Sequence, residues 1–234
     1  MYLKNRAQRS YVDPSRLRPD HAPIPQSDRD ALKSNIFPLI IAAPSKSILV
    51  QLANTLRTLI SHDFPEKWPE LMGTIKTLLS STNVHEVTAG CTAILEVIKV
   101  YRYRQNSQVL ENVVNETFPQ LASIGLQLLA TPPSGPSQDI PTILHYILKT
   151  YRGSIILQLS KHQQSHDSIV PWGRLLFQVV NLQIPNEAVP ENEDDREKCE
   201  WWKAKKWAYS VLGRLFHRCA SPKWPVSFWL IGII

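Results

Sequence analysis

The sequence predicts an all-α fold in which helices stack in pairs. Apolar residues recur at helical spacing along most of the chain, and no run alternates like a strand or brackets a hairpin turn. Prolines outnumber glycines 18 to 8, the balance of a chain with many elements set off by rigid breaks rather than by phosphate-cradling turns. At 234 residues and 43% hydrophobic content, the chain can bury a substantial core.

The elements follow in order. Ser27 and Asp28 are placed to cap a helix carrying Leu32, Ile36, Leu39 and Ile40, with Pro38 expected to kink or shorten it. From Ser47 a second helix carries Leu49, Leu52, Ala53, Leu56, Leu59 and Ile60 as a core-facing stripe. It stops at Asp63-Phe64-Pro65, and the next begins near Pro69 with Leu71, Ile75, Leu78 and Leu79. Thr82 or Asn83 then precedes Val87, Cys91, Ile94, Leu95, Ile98 and Tyr101.

Another helix carries Leu110, Val113, Val114, Leu121, Ile124 and Leu128 before the loop Thr131–Ser137, which holds three prolines and a glycine. Ile143, Leu144, Ile147, Leu148 and Tyr151 mark the next stripe, and Trp172, Leu175, Leu176, Val179 and Val180 the one after it. The last helix is expected from about Arg196 to Cys219, with Trp207, Ala208, Val211, Leu212, Leu215 and Phe216 facing inward. Equivalent points in second helices, such as Leu52 and Ile94, lie one HEAT-type period of ~40–47 residues apart. One pair cannot bury both its faces, so pairs must stack. An irregular helical bundle satisfies the same periodicity, and periodicity alone leaves both open.

Enzyme chemistry finds little support. The chain has no P-loop, dinucleotide-binding, zinc-protease or nucleophile-elbow motif. His162 and His166 have i, i+4 spacing but sit in a Gln- and Ser-rich stretch without nearby cysteine, the setting of a solvated loop rather than a metal site. Cys91, Cys199 and Cys219 are widely spaced, giving neither a disulfide framework nor a metal pattern, and they fall on apolar faces. An odd, sparse count fits a reducing compartment. The start lacks the apolar core of a signal peptide, and no apolar run approaches the roughly 20 residues that span a bilayer, so membrane insertion is not expected.

Two charged stretches stand out. Lys203, Lys205 and Lys206 lie among Trp201, Trp202 and Trp207, a pattern that fits base stacking or, more simply, a helix with tryptophans inside and lysines in water. With a net charge of only +6, direct nucleic-acid binding is not expected. Glu191, Glu193, Asp194, Asp195 and Glu197 form an acidic inter-helix loop over 191–197. Such runs are usually solvated punctuation.

The segments Tyr2-Leu3-Lys4-Asn5 and Asp63-Phe64-Pro65-Glu66-Lys67-Trp68-Pro69 resemble the importin-β (karyopherin-β) family of nuclear transport receptors, in which the first closes an early helix and the second joins consecutive repeats. Ser27–Ile36 and Gln51–Leu56 resemble the helices between them. The run Asp194–Ala208, an acidic loop followed by W-W-K-x-K-K-W, is similar to the importin seven/eight subgroup in particular. The resemblance covers roughly Tyr2 to Pro222 in the family's order.

It implies an α-α superhelix, a HEAT/armadillo-type solenoid, spanning 1–222 and incomplete at both ends. Residues 223–234 depart from it as a hydrophobic tail, expected to be a gene-model artefact, with a docking tail as the alternative. It further implies a nuclear import receptor, with no catalysis and no cofactor, shuttling between cytoplasm and nucleus. The partners so implied are basic protein cargo, Ran-GTP and nuclear pore proteins. Glu191, Glu193, Asp194, Asp195 and Glu197 become cargo-binding candidates, while no short motif defines Ran-contacting residues. A HEAT scaffold unrelated to transport is the alternative.

Phe64, Pro65, Trp68 and Pro69 make up an inter-repeat signature. One proline ends a helix, the other opens the next, and the two aromatic rings are suited to fill the seam. Trp68→Ala is therefore expected to cost about 3–5 kcal/mol, the range for truncating a buried large aromatic. An unchanged urea midpoint would put the ring outside the core.

Overall fold

The computed structural model describes residues 2–11, 17, 22–130 and 139–219, with the backbone alone at Cys219. Among them lie ten α-helices and no strand. The fold class is all-α, of the HEAT-repeat type. The chain divides into two compact units, with the boundary between Val100 and Tyr101.

The first unit contains α1 (Tyr2–Ser10), α2 (Gln26–Ile41), α3 (Lys46–Asp63), α4 (Leu71–Leu79) and α5 (Val84–Tyr101). Ser45 caps α3 by accepting from the Ile48 N–H, and Asn83 accepts from the His85 N–H at the start of α5. Both α1 and α2 pack on α3. Leu56, Leu59, Ile60, Leu71, Ile75, Ile94 and Ile98 are wholly excluded from water. Helices α4 and α5 approach closely at Gly90, where a Cβ would come within 2.9 Å of Leu79 Cδ2 and 3.2 Å of its backbone nitrogen.

The second unit contains α6 (Gln108–Leu128), α7 (Asp139–Ser154), α8 (His166–Asn181), the single turn α9 (Glu193–Arg196) and α10 (Glu200–Cys219). Helix α6 packs on α7 and α8, and α10 on α7 and α8. The contacts between α7 and α10 advance in the same direction, His145 meeting Glu200, Arg152 meeting Ser210, and the carbonyl of Ile156 meeting Arg214. These two helices therefore lie parallel, as equivalent second helices of successive pairs must. Phe118, Tyr151 and Trp172 bring three helices together at ring separations of 5.7, 5.6 and 4.3 Å.

Several local expectations are corrected. Tyr2–Asn5 does not close its helix, because α1 runs on to Ser10. Helix α2 begins at Gln26 behind Pro25, so Ser27 and Asp28 lie inside its first turn, and no side chain caps it. Pro38 does not end α2, which continues to Ile41. Leu39 is exposed and Phe37 is buried in its place. In α10, Ala208 and Val211 face inward as expected, Trp207, Leu212 and Leu215 are half-buried, and Phe216 is exposed. The Thr131–Ser137 loop and the tail 223–234 lie outside the described residues.

Two glycines of the first unit should behave oppositely. Nothing lies within 4 Å of the Cβ position at Gly73, so Gly73→Ala should raise stability by about 0.5–1 kcal/mol. Gly90→Ala should lower it by about 1–2 kcal/mol, overpacking against Leu79 outweighing the gain in helix propensity. Urea midpoints moving in the same direction would refute the close approach of α4 and α5.

Candidate functional site

The acidic stretch is a built loop with a fixed base. After α8 the chain makes a 3-10 turn at Asn186–Ala188, then the short α9, and enters α10 at Glu200. Ala188 and Cys199 are buried, and the Cys199 thiol donates to the Ala188 carbonyl at 3.5 Å. Asn192 opens α9 by accepting from the Asp194 N–H at 3.1 Å. Between these anchors Glu191, Glu193, Asp194 and Glu197 are exposed and Asp195 is half-buried.

The five carboxylates are not equivalent. Arg196 pairs with Glu193 at 3.1 Å, and Lys198 pairs with Asp195 at 2.6 Å. The hydrogen bond to Asp195 raises the pKa of the Lys198 ammonium. Glu191, Asp194 and Glu197 form no ion pair among the described residues. Five carboxylates against two cations leave residues 191–198 with three net negative charges. The unpaired three carry that charge into solvent.

The neighbouring lysines are mostly engaged by the protein itself. Glu200 binds His145 Nδ1 at 2.7 Å through one oxygen and Lys203 Nζ at 2.9 Å through the other. Lys205 donates to the Val180 carbonyl at 3.1 Å, while Lys206 is exposed. Of the tryptophans, Trp201 is buried, Trp202 exposed and Trp207 half-buried, stacked on His145 with Lys149 Nζ 5.6 Å from its ring centre. Trp202 thus departs from the expectation of tryptophans inside.

At the other signature, Phe64 and Trp68 are buried, Pro65 is half-buried and Pro69 is exposed. The ring of Trp68 lies 6.3 Å from Phe37 of α2. Sequence reasoning missed the group beside them. Asp63 is buried at the end of α3, and its Oδ2 receives the Tyr11 hydroxyl at 2.6 Å and Lys33 Nζ at 2.7 Å. Lys33 also donates to the Lys67 carbonyl at 2.9 Å, inside the Phe64–Pro69 turn. Glu96 of α5 is likewise buried between Arg57 of α3 and Lys99.

His162 lies half-buried in a 3-10 turn and His166 is exposed at the start of α8. The described residues hold no group of three or more His, Cys, Asp or Glu placed to bind a metal. Burial pushes the Cys91 thiol up to about 12, which leaves it protonated and inert at neutral pH. No described helix is long and apolar enough to cross a membrane.

No established family profile matches the chain. It is 28% identical over 241 residues to mouse importin-8, across 95% of this chain and 22% of that protein. It is 29% identical over 200 residues to the Arabidopsis thaliana importin beta-like SAD2 homolog, across 84% of this chain and 19% of that protein. It is 25% identical over 208 residues to a probable importin-7 homolog of Dictyostelium discoideum, across 86% and 19%. The importin-β resemblance is borne out. This importin-β-like chain spans about a fifth of the length of the curated relatives it matches.

Within the importin-β-like chain, the Asp63 site has a pH signature. Burial, then the hydrogen bond to Asp63, raises the Tyr11 hydroxyl well above the ordinary phenol value. The neutral phenol is the form the fold favours. Its contribution is therefore complete below the unfolded value of about 10 and declines as pH rises beyond it, where only the unfolded chain ionises. The urea midpoint of the wild type should fall more steeply between pH 9 and 11 than that of Tyr11→Phe, and parallel profiles would remove the buried phenol. At neutral pH the variant should lose about 1–3 kcal/mol.

Proposed function

We propose that this chain forms part of a nuclear import receptor and that its acidic loop contributes to the capture of basic protein cargo. The observation that carries the reading is the set of Glu191, Asp194 and Glu197, exposed, without ion pairs, and held at the entry to α10 by the Cys199–Ala188 base. The relatives named importin supply the class of function. A loop of concentrated negative charge speeds encounter with Lys- and Arg-rich segments more than it fixes their final affinity.

In the complete receptor, Ran-GTP binding releases cargo through coupling between two binding events rather than through bond chemistry. Nuclear pore proteins are the further partners, and the receptor shuttles between cytoplasm and nucleus. Ran-GTP binding by the full-length gene product is the measurement that decides the class. A full-length product that fails to bind Ran-GTP would be a HEAT scaffold outside transport.

Replacing Glu191, Asp194 and Glu197 together by their amides should slow association with a Lys/Arg-rich peptide by about tenfold at low ionic strength, with the effect shrinking as salt is added. Replacing the paired Glu193 and Asp195 should slow it too, because each substitution leaves Arg196 or Lys198 unneutralised to repel the basic peptide. Stopped-flow association at several salt concentrations tests this. Equal rates for all variants would leave the loop as solvated punctuation.

A further inference from the structure

Charge is unevenly distributed along the line where α7 and α10 run together. At the amino-terminal end sits a carboxylate, Glu200, answered by His145 and Lys203. Towards the carboxy-terminal end the charged groups are all cations, and Arg152 and Arg214 donate to neutral acceptors. Arg152 Nε donates to Ser210 Oγ at 3.0 Å, Arg214 Nη2 to the Ile156 carbonyl at 2.6 Å, and Arg218 Nη2 to that same carbonyl at 3.0 Å. Neither Arg152 nor Arg214 meets a carboxylate within ion-pair distance among the described residues. Both are half-exposed. Burial, followed by the positive charge of Arg214, lowers the pKa of Arg152, so the two guanidinium groups sit close enough to repel.

A structural role covers part of this arrangement. Arg214 and Arg218 bond a carbonyl just beyond the last turn of α7, where cations suit the helix dipole. That role leaves Arg152 unexplained. It belongs to α7 itself, reaches across to a neutral serine hydroxyl, and adds a like charge where two already sit. Its fold contact uses Nε alone, leaving both Nη groups available in the planar fork that matches a carboxylate.

We propose that Arg152 and Arg214 form a receiving site for the carboxylates of an acidic peptide segment. The polarity of the line between the helices argues against nucleic acid. A polyanion needs cations repeated along its track, and here the track ends in Glu200 and, just before it, the three net negative charges of residues 191–198. A short acidic segment satisfies the arginines without reaching that repulsive end. The site has the opposite sign to the acidic loop and stands independently of the cargo reading.

The test uses the 234-residue chain and fluorescence anisotropy at low salt. The probes are a labelled hexaglutamate peptide, its hexaglutamine counterpart, and a single-stranded oligothymidylate of equal charge. The hexaglutamate should bind saturably, the hexaglutamine should not, and Arg152→Gln should weaken the glutamate peptide by about tenfold. Arg152→Lys, which keeps the charge but loses the fork, should fall between. Arg152→Gln is chosen because it leaves the Arg214 and Arg218 bonds to Ile156 in place. Independently of any variant, unlabelled hexaglutamate should raise the wild-type thermal midpoint. Undiminished binding by Arg152→Gln, no midpoint shift, or tighter binding of the oligothymidylate than of the peptide would each overturn the proposal.

Discussion

Burying the Asp63 carboxylate at the end of α3 commits the first unit to one arrangement of three segments. An ionised carboxylate stripped of water costs several kcal/mol unless donors replace its hydration. Here the donors come from elsewhere in the chain, the Tyr11 hydroxyl from just beyond α1 and the Lys33 ammonium from α2. Both reach the same oxygen, while Oδ1 has no hydrogen-bond partner. Because Lys33 also holds the Lys67 carbonyl, the turn that carries Phe64 and Trp68 is tied to the same point. Sliding α2 along α3 by one turn would break all of these bonds together. A buried charge of this kind acts less as a source of net stability than as a selector of register.

The same device recurs. Glu96 is held between Arg57 and Lys99 in the first unit, and Glu200 between His145 and Lys203 in the second. Apolar faces alone would let stacked helices slip, since leucines and isoleucines repack with modest penalty. Charged pairs between equivalent helices do not permit that slip. Close approaches work alongside them, with Gly90 against Leu79 and Gly125 against Leu175, where a Cβ would fall within 2.7 Å of a leucine methyl. Ion pairs set the position between some helices, and glycines permit close approach between others, α4 with α5 and α6 with α8.

Much of this architecture is legible in the amino-acid sequence. The helices α3, α6 and α8 follow from single apolar stripes, and their interiors match because burial of one face dictates the period, while α5 is buried on every face over 91–98. The motif around Phe64 and Trp68 marked a turn between helices without revealing that Asp63 is its anchor. The long-range ties of Asp63, Glu96 and Glu200 are unreadable because Tyr11, Arg57 and His145 lie 52, 39 and 55 residues away, and local periodicity carries no information about such pairs. In α10 the apolar residues occupy more than one face. Trp202, Tyr209 and Phe216 recur every seventh residue as an exposed stripe, so periodicity identified a helix but not its buried side. Within the acidic loop, sequence located five carboxylates but not the pairing that separates Glu193 and Asp195 from the other three.

That pairing points to a general property of this chain. Charges that order the helices are buried and answered, and once answered they contribute little field to the surroundings. Exposed charges with a neighbour of opposite sign are nearly as quiet, as Lys198 and Asp195 illustrate. What remains to act at a distance is the unanswered remainder, which in the second unit includes the exposed Lys206 and two groups of like sign. Glu191, Asp194 and Glu197 gather before the first turn of α10, and Arg152 and Arg214 gather near its far end. With 1.5 Å of rise per residue, the helix from Glu200 to Arg214 holds these groups roughly 20 Å apart, beyond a Debye length at physiological salt. Each therefore presents its own field to a partner instead of cancelling the other. A helix surface arranged this way carries information in the spacing and order of its charges, not in net charge alone.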